Sequence, residues 1–226
     1  MAESEFLIVE KDDQVARITL NRPKHNVLNI PMMNELNAQL ADIAADDTLK
    51  CLVITGHGKS FCAGVEVADH APCNVDEMVT VFNRIFELIN TIDIPVIAAV
   101  NGACLGGGME VAIACDMVIA SQKAIFGQPE IKLGFFPPYA ALRLPELVGP
   151  AKAIEIVTTG KNYTAKEARK LGFVSQVAEE EAFAEVVEKT IKEICMSSPL
   201  IIRLNKRAVK RHIGTSFFQG LDLVSN

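Results

Sequence analysis

The run Pro95-Val96-Ile97-Ala98-Ala99-Val100-Asn101-Gly102-Ala103-Cys104-Leu105-Gly106-Gly107-Gly108-Met109-Glu110 sets the architecture. Its opening is apolar without alternation, as in a strand buried on both faces. Asn101-Gly102 stops that strand. Three glycines then lead into a short helix predicted through Cys115, and residues 117–120 (MVIA) form the next buried strand. Strand, glycine turn, helix, strand is the grammar of a parallel sheet.

The same grammar extends upstream. Residues 51–55 (CLVIT) read as a buried strand ending at Gly56. Residues 75–92 read as a helix with Met78, Val81, Phe82, Ile85, Ile89 and Ile92 at helical spacing. Residues 31–43 form another, with Met32, Leu36, Leu40 and Ile43 on one face and Pro31 suited to its first turn. Residues 6–9 and the alternating stretch 15–20 (VARITL), separated by Lys11-Asp12-Asp13, predict an antiparallel hairpin. The expectation is an α/β fold with a β-rich core over 1–138. Residues 139–226 read as almost wholly helical, with helices at 139–148, 151–158, 165–171, 180–195 and 200–211.

Composition narrows the function. The chain has 226 residues, half of them hydrophobic, with 22 Lys+Arg against 28 Asp+Glu and a net charge of −6. This is no disordered chain. Its acidic balance argues against nucleic acid as partner. The basic run Lys206, Arg207, Lys210 and Arg211 reads as a solvated helix face. No window approaches the ~18 uninterrupted apolar residues of a membrane span. The start, MAESEFLIVEKDD, is not a signal peptide, so a cytoplasmic location is expected. The six cysteines form no CxxC pair and read as buried free thiols. The four histidines lack metal-ligand spacing, so no metal site is expected. The chain breaks off after the apolar residues Phe217, Phe218, Leu221 and Leu223, an end that reads as wanting a partner or further sequence.

Chemistry concentrates in three glycine-rich turns after strand ends, where open α/β sheets bind ligands. The first is Gly56 to Glu66. Its Gly58-Lys59-Ser60 is not a P-loop, because Val53 stands where that motif needs glycine. Small residues at 62–64 let backbone N–H groups approach a ligand. The second, Gly106-Gly107-Gly108, presents free N–H groups at a helix start, a place for an anion or developing oxyanion. Glu110 in that helix's first turn is either a dipole-complementing carboxylate or a functional one. The third is Phe126-Gly127-Gln128-Pro129-Glu130-Ile131. Glu130 is either a solvated loop carboxylate or one whose pKa is raised among apolar neighbours. Two such carboxylates beside an N–H-rich turn suit proton transfer next to a carbonyl.

These residues, in this order, resemble the crotonase superfamily of enoyl-CoA hydratases and isomerases. The likeness rests on Ile18-Thr19-Leu20-Asn21-Arg22-Pro23, Phe61-Cys62-Ala63-Gly64, Asn101-Gly102 through Glu110, Cys115-Asp116 and Phe126 through Glu130. It implies a crotonase-type spiral of ββα units, a helical C-terminal trimerisation region, and assembly as a homo-trimer or dimer of trimers. It implies an acyl-CoA thioester as substrate, with coenzyme A part of that substrate and no separate cofactor. By motif position, the oxyanion-hole N–H groups fall on Val65 and Gly107. Ala63, Gly64 and Gly106 line the substrate, and the two catalytic glutamates are Glu110 and Glu130. Having both favours water addition over isomerisation. Arg22 and Lys24 are candidates for the CoA phosphates.

Two departures carry meaning. Where hydratases of this family run through a glycine-rich loop, this chain reads Phe135-Phe136-Pro137-Pro138-Tyr139. Prolines stiffen that turn, so Pro137, Pro138 and Tyr139 are expected to reshape the acyl pocket. The run is similar to that of cyclohexa-1,5-diene-1-carbonyl-CoA hydratases of anaerobic aromatic (benzoyl-CoA) degradation, which form 6-hydroxycyclohex-1-ene-1-carbonyl-CoA. A general short-chain enoyl-CoA hydratase, an isomerase, and a non-catalytic binding protein are the alternatives. Glu66 stands where the family usually has aspartate. Family members run further at the C-terminus, so the last helices are expected to be missing here.

Overall fold

A computed structural model describes residues 5–211. The expected hairpin forms: β1 (Leu7–Lys11) pairs antiparallel with β2 (Val15–Leu20), Val9 opposite Ile18. The first helix, α1 (Ile30–Ala44), starts where Asn29 Oδ1 accepts the Met32 N–H at 3.1 Å, and it buries Met32, Met33, Leu36, Leu40 and Ile43. Removing a side chain as deep as Leu40 would cost about 2–5 kcal/mol.

Three repeats of one unit follow. Strand β3 (Cys51–Gly56) leads to β4 (Ser60–Cys62), then to helix α2 (Val75–Thr91). Strand β5 (Val96–Val100) leads to β6 (Ala103–Leu105), then to α3 (Gly107–Ala114). Strand β7 (Met117–Ser121) leads to β8 (Ile125–Gly127) and a short 3-10 helix (Pro129–Leu133). The first strands of the units pair parallel with one another in one sheet, and the second strands pair parallel in another. The chain therefore climbs as a spiral of ββα turns, as expected. Strand β5 is buried throughout and β3 at every residue but Thr55, because the sheet is covered on both faces.

Helices α4 (Pro138–Val148) and α5 (Pro150–Thr159) come next. The C-terminal stretch is not wholly helical. Strand β9 (Asn162–Thr164) pairs with β8, and β10 (Gln176–Ala178), following α6 (Ala165–Leu171), pairs with β7. The sheets thus read β1-β2-β3-β5-β7-β10 and β4-β6-β8-β9. Strands of three residues are too short for a period-two pattern, so the sequence reading saw only helices there.

Helix α7 (Phe183–Cys195) lays Val187 and Ile191 on the outer face of the larger sheet, against Val53, Ile97 and Ile119. Helix α8 (Pro199–Arg211) corrects another expectation. Lys206 and Lys210 do not lie on a solvated face, whereas Arg207 is exposed and the Arg211 side chain lies outside the described residues. Lys206 Nζ is nearly buried, 2.6 Å from Asp116 Oδ2 and 2.7 Å from the Ile94 carbonyl. Lys210 meets the other Asp116 oxygen at 3.1 Å, and Arg207 pairs with Asp93. The charges dock the helix across the N-terminal end of β5, away from the glycine turns. The apolar residues between Phe217 and Leu223 lie outside the described residues. Among the described residues, no helix is long and apolar enough to cross a membrane.

Candidate active site

The three glycine-rich turns converge, as the parallel sheets require, beyond the strand ends. They open onto a cavity of about 730 Å³, within the range of small-molecule sites. Its walls include Arg22, Lys24, Ala63, Gly64, Val65, Gly106, Gly107, Glu110, Glu130 and Pro138.

The first turn is fixed from below. Asn26, buried in the left-handed region at φ 53°, donates to the Ser60 and Phe61 carbonyls at 2.8 and 3.1 Å. This ties the loop after β2 to β4. Leu28 then forms a parallel bridge with Val65, through Leu28 N–H to the Gly64 carbonyl (2.9 Å) and Glu66 N–H to the Leu28 carbonyl (2.8 Å). Neither bond uses the Val65 N–H. In such a bridge that group points away from Leu28, and Val65 lines the cavity.

The second turn supplies Gly107, the first residue of α3, whose N–H has no intrahelical acceptor. The two arms touch: a Cβ on Gly107 would lie 2.6 Å from Val65 Cγ2 and 3.0 Å from Phe82 Cζ. Only glycine lets the helix start come this close. Two N–H donors on adjoining arms, one at a positive helix end, can hold one carbonyl oxygen.

The two carboxylates sit in unlike places. Glu110 is 2% exposed, on a helix buried along its whole length. Its Oε1 accepts the Ala140 N–H at 2.8 Å. Burial pushes its pKa up to about 8, against the pull of that hydrogen bond, and the charge of Glu130 pushes in the same direction. Glu130, in the 3-10 helix, is half-buried, and desolvation raises its pKa to about 7. The raised value expected for Glu130 is therefore present, and Glu110 goes further. Neither is a solvated surface carboxylate.

Gln128 was not legible as a site residue. It is fully buried, and with its amide nitrogen turned to the carboxylate it donates to both Glu130 oxygens at 3.0 Å. The available signal was a glutamine between an apolar strand and Pro129; a buried amide must find a partner. Ala140 was missed because its contribution is a backbone N–H.

The stiff loop divides. Pro138 lines the cavity with Phe135 and Phe136, whereas Pro137 and Tyr139 do not. Helix α4 begins at Pro138, and consecutive helical residues point ~100° apart. Tyr139 therefore turns away and stacks on Phe86 of α2, ring centroids 4.0 Å apart. It braces the wall from behind. At the mouth, Arg22 is partly engaged within the protein: it donates to the Val27 carbonyl at 2.8 Å and pairs with Glu66 at 3.0 Å. Lys24 beside it is exposed.

The chain is similar to known proteins. The family model for enoyl-CoA hydratase/isomerase matches residues 10–223. A short-chain-enoyl-CoA hydratase of Clostridium acetobutylicum is 36% identical over 211 residues, covering 91% of this chain and 81% of the relative. A crotonyl-CoA hydratase of Syntrophomonas wolfei is 36% identical over 225 residues, covering 97% of this chain and 86% of the relative. An enoyl-CoA hydratase structure from Geobacillus kaustophilus superimposes with a TM-score of 0.92 at 32% identity, covering 99% of this chain and 88% of that one.

Proposed function

The chain belongs to the enoyl-CoA hydratase/isomerase family, and from that premise we propose that it is a hydro-lyase adding water to a conjugated enoyl-CoA thioester. One observation carries the reading: two carboxylates with raised pKa values, Glu110 and Glu130, face one cavity beside the Val65 and Gly107 N–H groups. An isomerase needs only one carboxylate to shuttle a proton; water addition uses two.

In the proposed reaction the thioester oxygen accepts from the Val65 and Gly107 N–H groups. This withdraws electrons from the conjugated double bond and stabilises the enolate. Water lies between the glutamates. The ionised one takes a proton from water as its oxygen bonds to the β-carbon. The protonated one delivers its proton to carbon as the enolate collapses: to the α-carbon of a simple enoyl thioester, or to C5, the far end of the conjugated system, in a cyclohexa-1,5-dienoyl thioester, where the remaining double bond shifts to C1=C6. The two carboxyls thus exchange roles, and proton transfer between them or with solvent resets the site. The N–H pair contributes at the transition state, where removing one such donor costs about 10²–10³ in rate. Coenzyme A enters as part of the substrate, with Lys24 and Arg22 at the mouth near its phosphates.

For the acyl group we propose a flat cyclic dienoyl thioester, cyclohexa-1,5-diene-1-carbonyl-CoA, placing the enzyme in anaerobic aromatic degradation. Support comes from the apolar lining that Phe135, Phe136 and Pro138 give the cavity, with Tyr139 stacked on Phe86 next to it. A general short-chain enoyl-CoA hydratase is the second reading, favoured by the names of the relatives. Hydration of crotonyl-CoA and of the cyclic dienoyl-CoA, followed by absorbance and product mass, tests both. Turnover of the cyclic diene alone supports the narrower reading. Preference for crotonyl-CoA replaces it with the broader one. No hydration of either by folded protein refutes the hydratase assignment.

A further inference from the structure

One side-chain contact ties the two arms of the cavity together. The His70 ring stacks on Phe135 with centroids 4.1 Å apart and planes 25° from parallel, and both residues line the cavity. His70 ends the short helix Val67–His70, just past Val65. Phe135 follows the helix that carries Glu130, and its N–H donates to the Glu130 carbonyl at 3.0 Å. The stack therefore joins the arm bearing an N–H donor to the arm bearing a carboxylate.

The His70 ring is anchored, and the Phe135 backbone is held by its bond to Glu130. His70 Nδ1 lies 3.0 Å from the Glu66 carbonyl oxygen, so that nitrogen carries the proton and donates. The Glu66 carboxylate is held in turn by Arg22. With Nδ1 engaged on backbone, the imidazole gives its face to Phe135 and works as part of the apolar wall. Phe82, also in the cavity lining, packs edge-on to Phe86 at 4.7 Å. Aromatic rings locked in this way resist repacking, and a wall that does not yield discriminates by size and shape.

We infer that the His70–Phe135 stack is the element that sets which acyl groups the cavity accepts, closing it against long linear chains while admitting short or flat cyclic ones. The inference rests on the acyl-CoA reading above. Because it concerns fit rather than turnover, binding tests it without chemistry. Isothermal titration calorimetry would compare free CoA, butyryl-CoA, benzoyl-CoA and decanoyl-CoA on the wild type, His70→Ala, Phe135→Ala and the double variant.

The wild type should bind butyryl- and benzoyl-CoA more tightly than decanoyl-CoA. Each single variant should shift the decanoyl-to-butyryl affinity ratio toward decanoyl by about tenfold or more. Free CoA should be unaffected. The double variant should add little to either single one, because the rings act as a unit. Phe135→Leu, which keeps apolar bulk but removes the stack, gives the same readout should an alanine variant fold poorly. An unchanged ratio in folded variants overturns the inference. So does equal weakening of all four ligands, which would put the pair on the coenzyme side. Wild type that binds none of the CoA ligands refutes the acyl-CoA reading together with this inference. Binding without hydration removes the hydratase assignment alone.

Discussion

Gly106 and Glu130 are in van der Waals contact: a Cβ built on Gly106 would lie 2.9 Å from the Glu130 carboxyl carbon and closer still to its Oε1. The same glycine sits at φ 54°, where a side chain is strained whatever the space. It is also the residue just before the Gly107 N–H. One glycine thus sets the spacing between the proposed oxyanion site and one carboxylate. Gly106→Ala should displace Glu130 and lower kcat by about 10², the scale of a 1 Å misplacement. Steady-state kinetics beside circular dichroism would check this. Full activity in the variant would show that the Gly106–Glu130 contact is not part of the working geometry.

The pH profile follows from the carboxylate pair. The mechanism needs one carboxyl protonated and one ionised, and their raised values of about 7 and about 8 bracket that state. The plot of kcat/KM against pH should be a bell with its maximum between them, and its limbs belong to the pair rather than to either residue. Gln128→Met removes the amide donor that favours ionised Glu130. It should raise the pH at which the pair loses its first proton. A flat profile from pH 5 to 9 would contradict the assigned roles.

Where the candidate site lies is legible in the sequence for a physical reason. Glycine runs after apolar strands mark places where backbone must approach something closely. Glu130 stands out as a carboxylate among apolar neighbours, whereas the roles expected of Glu110, Val65 and Gly107 rest on the family resemblance. What could not be read depends on which way a side chain turns. Tyr139 and Pro138 are neighbours in sequence, yet one braces the wall from behind while the other faces the cavity. The His70–Phe135 stack joins distant residues and has no local signature. Nor did the basic run on α8 disclose its partners, since Asp93 and Asp116 belong to other turns of the spiral.

The buried glutamate should also be visible in stability. The folded-state pKa of Glu110 is raised, so the native protein keeps a proton that the unfolded chain releases. Unfolding therefore liberates protons, and stability falls as pH rises from the ordinary carboxylate value toward about 8. Glu110→Gln keeps an acceptor for the Ala140 N–H and removes this dependence. The variant should lose at least about 10² in kcat, as expected for a missing acid–base group. Its melting temperature relative to wild type should rise by roughly 3 °C or more between pH 5 and pH 8.5. A pH-independent difference between the two proteins would show that Glu110 is not desolvated in the native state.

The docking of α8 predicts a loss of stability without a loss of chemistry. Asp116 accepts from Lys206, Lys210 and the Val96 N–H, and Lys206 is almost fully enclosed. Asp116→Asn leaves that ammonium buried without its counter-charge, a change that costs about 3–5 kcal/mol. The cluster lies at the opposite end of β5 from the glycine turns, so kcat per folded molecule should be unchanged. Adding Lys206→Met removes the stranded charge while keeping its apolar bulk, and the double variant should recover most of the lost stability. Urea denaturation of the three proteins, with activity assayed in the native baseline, separates the outcomes. If Asp116→Asn unfolds at the wild-type midpoint, the charges do not hold the helix, and its apolar contacts alone do so.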